Sequence, residues 1–205
     1  MSKKHTWLAL SAGMIFCTGL AVAGPYEDAM QSYYAADYTK AFPLLESQAK
    51  KANAEAEFQL GIMYSRGQGV EQDSKKAFEW WSKAASRGHA QAQEALAESY
   101  AWGVGVKQDW PKAVQWAKKS ADKGNSNGQY LMGVWHENGQ GGLKASAVDA
   151  YMWYSIAAAG ETSFPAVVEA AARIEKTMSP EDIAAGKAKA EKWKAAHQKP
   201  VAKKK

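Results

Sequence analysis

Apolar residues in the middle of the chain recur at helical spacing, and each run ends in a pair of glycines. Ala56, Leu60, Gly61 and Tyr64 fall on one stripe of a helix, so residues 54–65 read as a first helix. Arg66-Gly67-Gln68-Gly69 interrupts it, because two glycines so close together favour left-handed turn geometry. Asp73 supplies an N-cap, and Ala77, Trp80, Trp81, Ala84 and Ala85 form the buried stripe of a second helix closed by Gly88. The plan then returns at an interval of 36 residues: Leu60, Leu96 and Met132 share it, as do Gly67, Gly103 and Gly139, and Gly88, Gly124 and Gly160. Such a period marks a solenoid, in which each unit buries its apolar face only against its neighbours. An all-α chain with an extended surface, rather than one deep pocket, is the expectation.

The second unit repeats the plan with Asp109 as cap and Pro111 in the first helical turn, where its missing N–H is no loss. The third drifts. His136 stands at the tyrosine position, and Trp153 and Tyr154 come one residue late, so one residue added before that helix and one removed after it restore the register at Gly160. Residues 25–53 predict a shorter opening pair of helices, with Pro43 early in the second. Pro165 to Met178 predicts another helix, and Ser179-Pro180-Glu181-Asp182 starts the last, with Ser179 as cap and a run to about Gln198. The units fall at about 25–53, 54–89, 90–125 and 126–161, with a cap at 164–198, all within a solenoid of 24–198. Residues 199–205 are expected to form a disordered basic tail.

Lys3 and Lys4, an apolar run from Thr6 to Leu20 and the small residues Ala21-Val22-Ala23 predict a signal peptide over 1–23, cleaved after Ala23. Cys17 follows Phe16, unlike a lipoprotein processing site, and is read as part of the discarded segment. The mature chain then has no cysteine, so its stability must come from packing instead of disulfides. Nine tryptophans less Trp7 leave eight; each one buried is worth at most about 4–6 kcal/mol. Alanine and glycine at contact positions let helices approach closely around these large rings.

The net charge of +5 resides in the ends. Setting aside Lys3, Lys4 and the eight lysines of 187–205, residues 24–186 carry 16 basic against 20 acidic side chains. A folded body of that balance speaks against nucleic acid as a partner. No stable membrane insertion is expected after signal cleavage, and the location predicted is periplasmic or secreted. Lys203 to Lys205 could make a weak contact with an anionic surface, or simply be solvated.

The pattern Ala56, Leu60, Gly61, Tyr64, Gly67, Gly69, Val70, Asp73, Lys76, Ala77, Trp80, Lys83, Ala84, Ala85, Gly88 resembles the Sel1-like repeat family. The second copy keeps Leu96, Tyr100, Gly103, Gly105, Val106, Asp109, Lys112, Ala113 and Trp116, with Ala97 in place of the glycine. Residues Ala150 to Tyr154 and Met178 to Ile183 also look like the final repeat and cap of exported bacterial members. The resemblance implies a right-handed α/α solenoid of helix-loop-helix repeats, related to tetratricopeptide repeats, with a C-terminal capping helix pair. It implies an adaptor or scaffold that binds a protein or peptide in the cell envelope, with no single partner shared across the family.

Other chemistry has weaker footing. The glycine loops follow helices and lack the Gly-Lys-Ser/Thr ending of a phosphate loop. His89, His136 and His197 do not form a metal-ligand spacing, and no cofactor or catalytic residue is assigned. Glu94 and Glu98, a helical turn apart, could serve as an acid/base pair or as solvated surface. A third reading follows from the tetratricopeptide resemblance, which presents non-consensus positions of the first helices to a concave groove. Carried over, these are Glu55, Phe58, Ile62 and Ser65; Gln91, Glu94, Glu98 and Trp102; Asn127, Tyr130, Val134 and Glu137. Phe58, Ile62, Glu94, Glu98, Trp102, Tyr130, Val134 and Glu137 are the candidate partner-binding residues, with the three aromatics as anchors for an amphipathic or basic peptide. Phe58 and Tyr130 could equally pack between repeats. Two further readings remain: a cell-wall-binding or hydrolytic protein, as assigned to some cysteine-rich relatives, and a self-assembling structural element.

Overall fold

Ten α-helices follow one another along the described residues of the computed structural model, 24–160 and 163–197. They are α1 (Pro25–Tyr34), α2 (Tyr38–Ala49), α3 (Ala54–Arg66), α4 (Ser74–Ser86), α5 (Ala90–Trp102), α6 (Trp110–Asp122), α7 (Ser126–Asn138), α8 (Ala147–Ala158), α9 (Pro165–Glu175) and α10 (Pro180–His197). The expected signal segment 1–23 and basic tail 199–205 lie outside the described residues. Each of α1 to α9 packs on its sequence neighbours, while α10 turns back onto α8. That is the solenoid, closed by a helix pair.

The caps expected from sequence are in place. Asp73 accepts from the Lys76 amide, Asp109 from the Lys112 amide and Ser179 from the Asp182 amide. In the third repeat Ser146 takes the cap role, one residue later than the period. The Asp73 and Asp109 amides donate to the carbonyls of Tyr64 and Tyr100, nine residues back; the Ser146 amide donates to His136, ten back. The same bond therefore closes a loop one residue longer, which a short 3₁₀ turn at Gln140–Gly142 takes up. Gly160 restores the count without adopting the left-handed conformation of Gly88 and Gly124. After those two glycines the chain turns straight into the next helix cap, whereas after Gly160 it runs on to the extended Phe164.

Three expectations need correction. Pro43 sits well inside α2, because Asp37 caps that helix and Tyr38 begins it. The helix from Pro165 ends at Glu175, not Met178. Ser179 precedes Pro180 and is barred from helical geometry, so residues 176–178 form a turn instead. Nor is the stripe of α4 buried throughout, since Trp80 and Trp81 are only half-buried. Among the described tryptophans Trp135 and Trp153 are buried, Trp102 is exposed and the rest are half-buried. Lys83 and Lys119 lie over the outer faces of Trp80 and Trp116, 3.7 and 4.0 Å from the ring centres, so these rings serve as walls between core and solvent.

Backbone docking joins the repeats. A Cβ on Gly69 would strike the Tyr38 carbonyl, and one on Gly105 the Ser74 carbonyl; these are the first residues of α2 and α4. Both glycines also have positive φ, 72° and 71°. Within repeats, Gly61 lies against the indole of Trp81 and Gly133 against the ring of Tyr154. In the second repeat the position facing α5 from α6 is Ala117, which explains why Ala97 is tolerated there.

Two stability measurements check this packing. A methyl group added at Gly124 would meet nothing within 4 Å, but the residue's φ is +84°, so Gly124→Ala is expected to lose only the conformational strain, about 1–2 kcal/mol by urea unfolding. Gly105→Ala adds the clash with α4 and is expected to lose roughly twice as much. For the size-matched pair, Gly61→Ala should cost about 1–3 kcal/mol and Trp81→Ala about 3–5 kcal/mol. The double variant, which recreates the Ala97 and Ala117 pair, is expected to lose clearly less than the sum; strict additivity would refute the complementarity.

Candidate partner-binding face

The first helices α3, α5 and α7 are each capped by a side chain at the same repeat position. Asn53 accepts from the Ala56 amide, His89 through Nδ1 from the Ala92 amide, and Asn125 from the Gly128 amide. His89 is thus a helix cap. Since Nδ1 accepts, Nε2 carries the proton and donates to Glu55 Oε2 at 2.9 Å. Its ring stacks on Phe58, with centroids 4.5 Å apart. Sequence reasoning left His89 unassigned, although its 36-residue alignment with Asn53 and Asn125 carried the signal.

Opposite their buried stripes, α3 and α5 present the non-consensus positions toward solvent. On α3, Phe58 and Ile62 are half-buried one turn apart, with one side of Phe58 covered by His89. On α5, Glu94 is half-buried, Glu98 exposed and Trp102 62% exposed at the helix end. Trp102 meets Trp110 edge-on at 5.7 Å, and Trp110 meets the buried Trp135 in the same way at 5.6 Å. One edge of Trp102 is therefore anchored through a chain of indoles to the core while the rest stands open. Val104, in the following loop, is exposed as well.

On α7 the same positions face the chain's own cap. Tyr130 packs against Tyr154 and Phe164, and Val134 joins the cluster of Ala170 and Ile174 from α9. Glu137 receives both terminal nitrogens of Arg173, at 2.6 and 2.8 Å, and the Tyr154 hydroxyl at 2.8 Å. The structure so brings Phe58, Ile62, Glu94, Glu98 and Trp102 onto one accessible face and turns Tyr130, Val134 and Glu137 toward α9. Arg173 and Tyr154, the partners that engage Glu137, were not among the sequence candidates.

The electrostatics follow the same division. Burial, and then the neighbouring Glu98 charge, push the Glu94 carboxyl up to about 7, with the Asn127 amide pulling the other way. Desolvation of its carboxyl against the helix surface raises Glu98 as well, although the residue as a whole is exposed. The Arg173 guanidinium holds Glu137 below the usual carboxylate range. His136 occupies the tyrosine position as a half-buried ring whose pKa is lowered by burial. Among the described residues, no three His, Cys, Asp or Glu side chains cluster to hold a metal ion, and no helix is long and apolar enough to cross a membrane.

Compared with family models, the chain matches the Sel1 repeat over residues 54–89, 90–125 and 126–161. Among solved structures it is similar to a Sel1 repeat protein from Oxalobacter formigenes, at 30% identity and a TM-score of 0.62, over 65% of this chain and 53% of that one. It is also similar to c5321, a protective antigen present in uropathogenic Escherichia coli strains and displaying an SLR fold. That match has 26% identity and a TM-score of 0.72, over 83% of this chain and 38% of that one. The chain spans about half, or less, of the length of these two proteins. No curated protein matches it.

The raised Glu94 carboxyl gives a pH test. A folded pKa above the unfolded one means that the folded protein keeps a proton the unfolded chain releases. The stabilising contribution is then full below about pH 4.5 and is lost as the pH rises through about 7. Glu94→Gln is expected to stabilise the protein at about pH 8 by on the order of 1–2 kcal/mol and to change little at about pH 4. Urea unfolding at both pH values checks this; an equal effect at both would mean that Glu94 is fully hydrated.

Proposed function

The chain belongs to the Sel1 repeat family, and from that premise we propose that it is an exported adaptor that binds a protein or peptide in the cell envelope along the accessible face of α3 and α5. The observation that carries this reading is Trp102: a large ring, fixed at one edge by Trp110 and otherwise open, beside the carboxylates of Glu94 and Glu98. A tethered aromatic has little conformational entropy left to lose on binding, which suits it to be an anchor. Phe58 and Ile62 continue the apolar line onto α3. The two carboxylates favour a basic or amphipathic ligand, laid as an extended segment or helix across the repeats. Because α9 covers the corresponding part of α7, the ligand would lie on the first two of the three matched repeats. Export rests on the pattern of residues 1–23, with its basic start, apolar run and small residues before Gly24.

Capture of periplasmic proteins on the mature chain, beside a Trp102→Ala, Glu98→Lys double variant, tests this. Both side chains are exposed, so the variant is expected to melt as the parent does while losing its specific partner. Retention of the same partner by both forms would remove the α3–α5 face as the site. Failure of the parent chain to capture any protein would overturn the adaptor reading.

A further inference from the structure

Five glutamates lie on the first helices of the three matched repeats, α3, α5 and α7. Glu55 accepts from His89, the buried Glu57 from Arg87, and Glu137 from Arg173. Glu94 and Glu98 differ. They sit one helical turn apart on α5, and among the described residues no Lys, Arg or His is paired with either. Glu94 is held by the Asn127 amide. Phe58 and Ile62 occupy the same positions on α3, and Trp102 stands open at the end of α5. Two carboxylates without cations beside apolar side chains are complementary to a segment that is basic and partly apolar.

The chain carries such a segment close by. His197 Nε2 lies 3.4 Å from Asp122 Oδ1, at the end of α6. That end of α6 is fixed to the start of α5, where the Ser120 hydroxyl donates to the Ala90 carbonyl at 2.8 Å; Glu94 follows one turn later. A cleft whose lining includes Lys123, Asn127, Ala90 and Gln91 opens along the same edge. The way from His197 to Glu94 thus crosses the ends of neighbouring helices and one helical turn, on the order of 20 Å in all. Beyond His197 the sequence reads Gln198-Lys199-Pro200-Val201-Ala202-Lys203-Lys204-Lys205. Six to eight extended residues reach about 20–29 Å, so Lys203 to Lys205 can arrive at Glu94 and Glu98. Lys123 stands beside the route, and Pro200-Val201-Ala202, the stretch that would pass it, is uncharged.

We infer that Lys203 to Lys205 dock on the Glu94 and Glu98 carboxylates of their own chain, as an internal competitor for the ligand of the α3–α5 face. This rests on the reading of that face as the binding surface. Exposed ion pairs are individually weak, but a short tether holds the lysines at a millimolar effective concentration. The contact is therefore partial, salt-dependent and displaceable. An external ligand must outcompete it, and its apparent affinity falls in proportion to the fraction of faces left free.

Amide NMR spectra of the full mature chain, set beside those of a Lys203→Gln, Lys204→Gln, Lys205→Gln variant, test the contact. At about pH 8, where Glu94 is mostly ionised, shift differences are expected along α5 around Glu94 and Glu98. They should be unchanged on dilution and largely lost between about 0.05 and 0.5 M salt. An acetylated peptide of residues 198–205 is expected to bind the tail-neutralised chain saturably through the same signals, and the parent chain about three- to tenfold more weakly. Glu94→Gln, Glu98→Gln, which keeps the shape of the face, is expected to abolish both effects. Differences confined to the tail or falling away from α5, or differences that survive in the double glutamine variant, would overturn the inference. Dilution-dependent shifts would give the contact to the tail of a second copy and overturn the internal one. These spectra involve no external partner, so they succeed or fail separately from the capture experiment that tests the adaptor reading.

Discussion

Backbone set directly on backbone governs this molecule. The second loop glycine of each of the first two matched repeats rests on the opening residue of the second helix one unit earlier, Gly69 on Tyr38 and Gly105 on Ser74. The third, Gly141, lies against Val114 and Trp110 of α6. Such contacts leave no room for a side chain and little for sliding, so they determine how far each repeat advances. The small core residues follow from the same closeness. Ala77, Ala113 and Ala150 are fully buried, as are Ala56 and Ala92, because larger groups would hold the helices too far apart for the loops to dock.

Inside that frame, volume is exchanged between partners. Where α4 brings Trp81, α3 has Gly61; where α8 brings Tyr154, α7 has Gly133; and where α6 brings only Ala117, α5 carries Ala97. The repeats also share an outer device in which the capping Asp73 or Asp109 pairs with Lys76 or Lys112, and that lysine reaches toward Tyr64 or Tyr100. These surface pairs add little stability individually, yet they order the side chains that cover the seams.

The third repeat departs from the others because it must receive the cap. Asp149 takes the place of the lysine, His136 that of the tyrosine, and the cation comes instead from Lys189 of α10, 2.6 Å from Asp149. Glu137 likewise finds Arg173 of α9, where the earlier repeats carry the half-buried Ser65 and the fully buried Ala101. Ending a solenoid in this way has a functional consequence. The cap covers the last part of the face that the first helices would otherwise present, leaving the open part on α3 and α5, where Trp102 stands.

The period, the caps at Asp73, Asp109 and Ser179, the docking glycines and the added residue before α8 were all legible in the sequence. Each depends on contacts within a unit or between adjacent units, and such contacts recur at a constant offset that repetition makes visible. The role of His89 was legible by the same logic, through its alignment with Asn53 and Asn125. What tertiary structure alone decided lies where the period breaks. Nothing local to Tyr130, Val134 or Glu137 distinguishes them from Phe58, Ile62 or Trp102, because their covering comes from α9, a helix outside the repeat. Nor does the sequence reveal that His197 returns to Asp122 in the middle of the stack, since the two meet only when α10 folds back onto α8. Sequence determined what each repeat offers to its neighbours; the return of the cap across them determined which of those surfaces stay open.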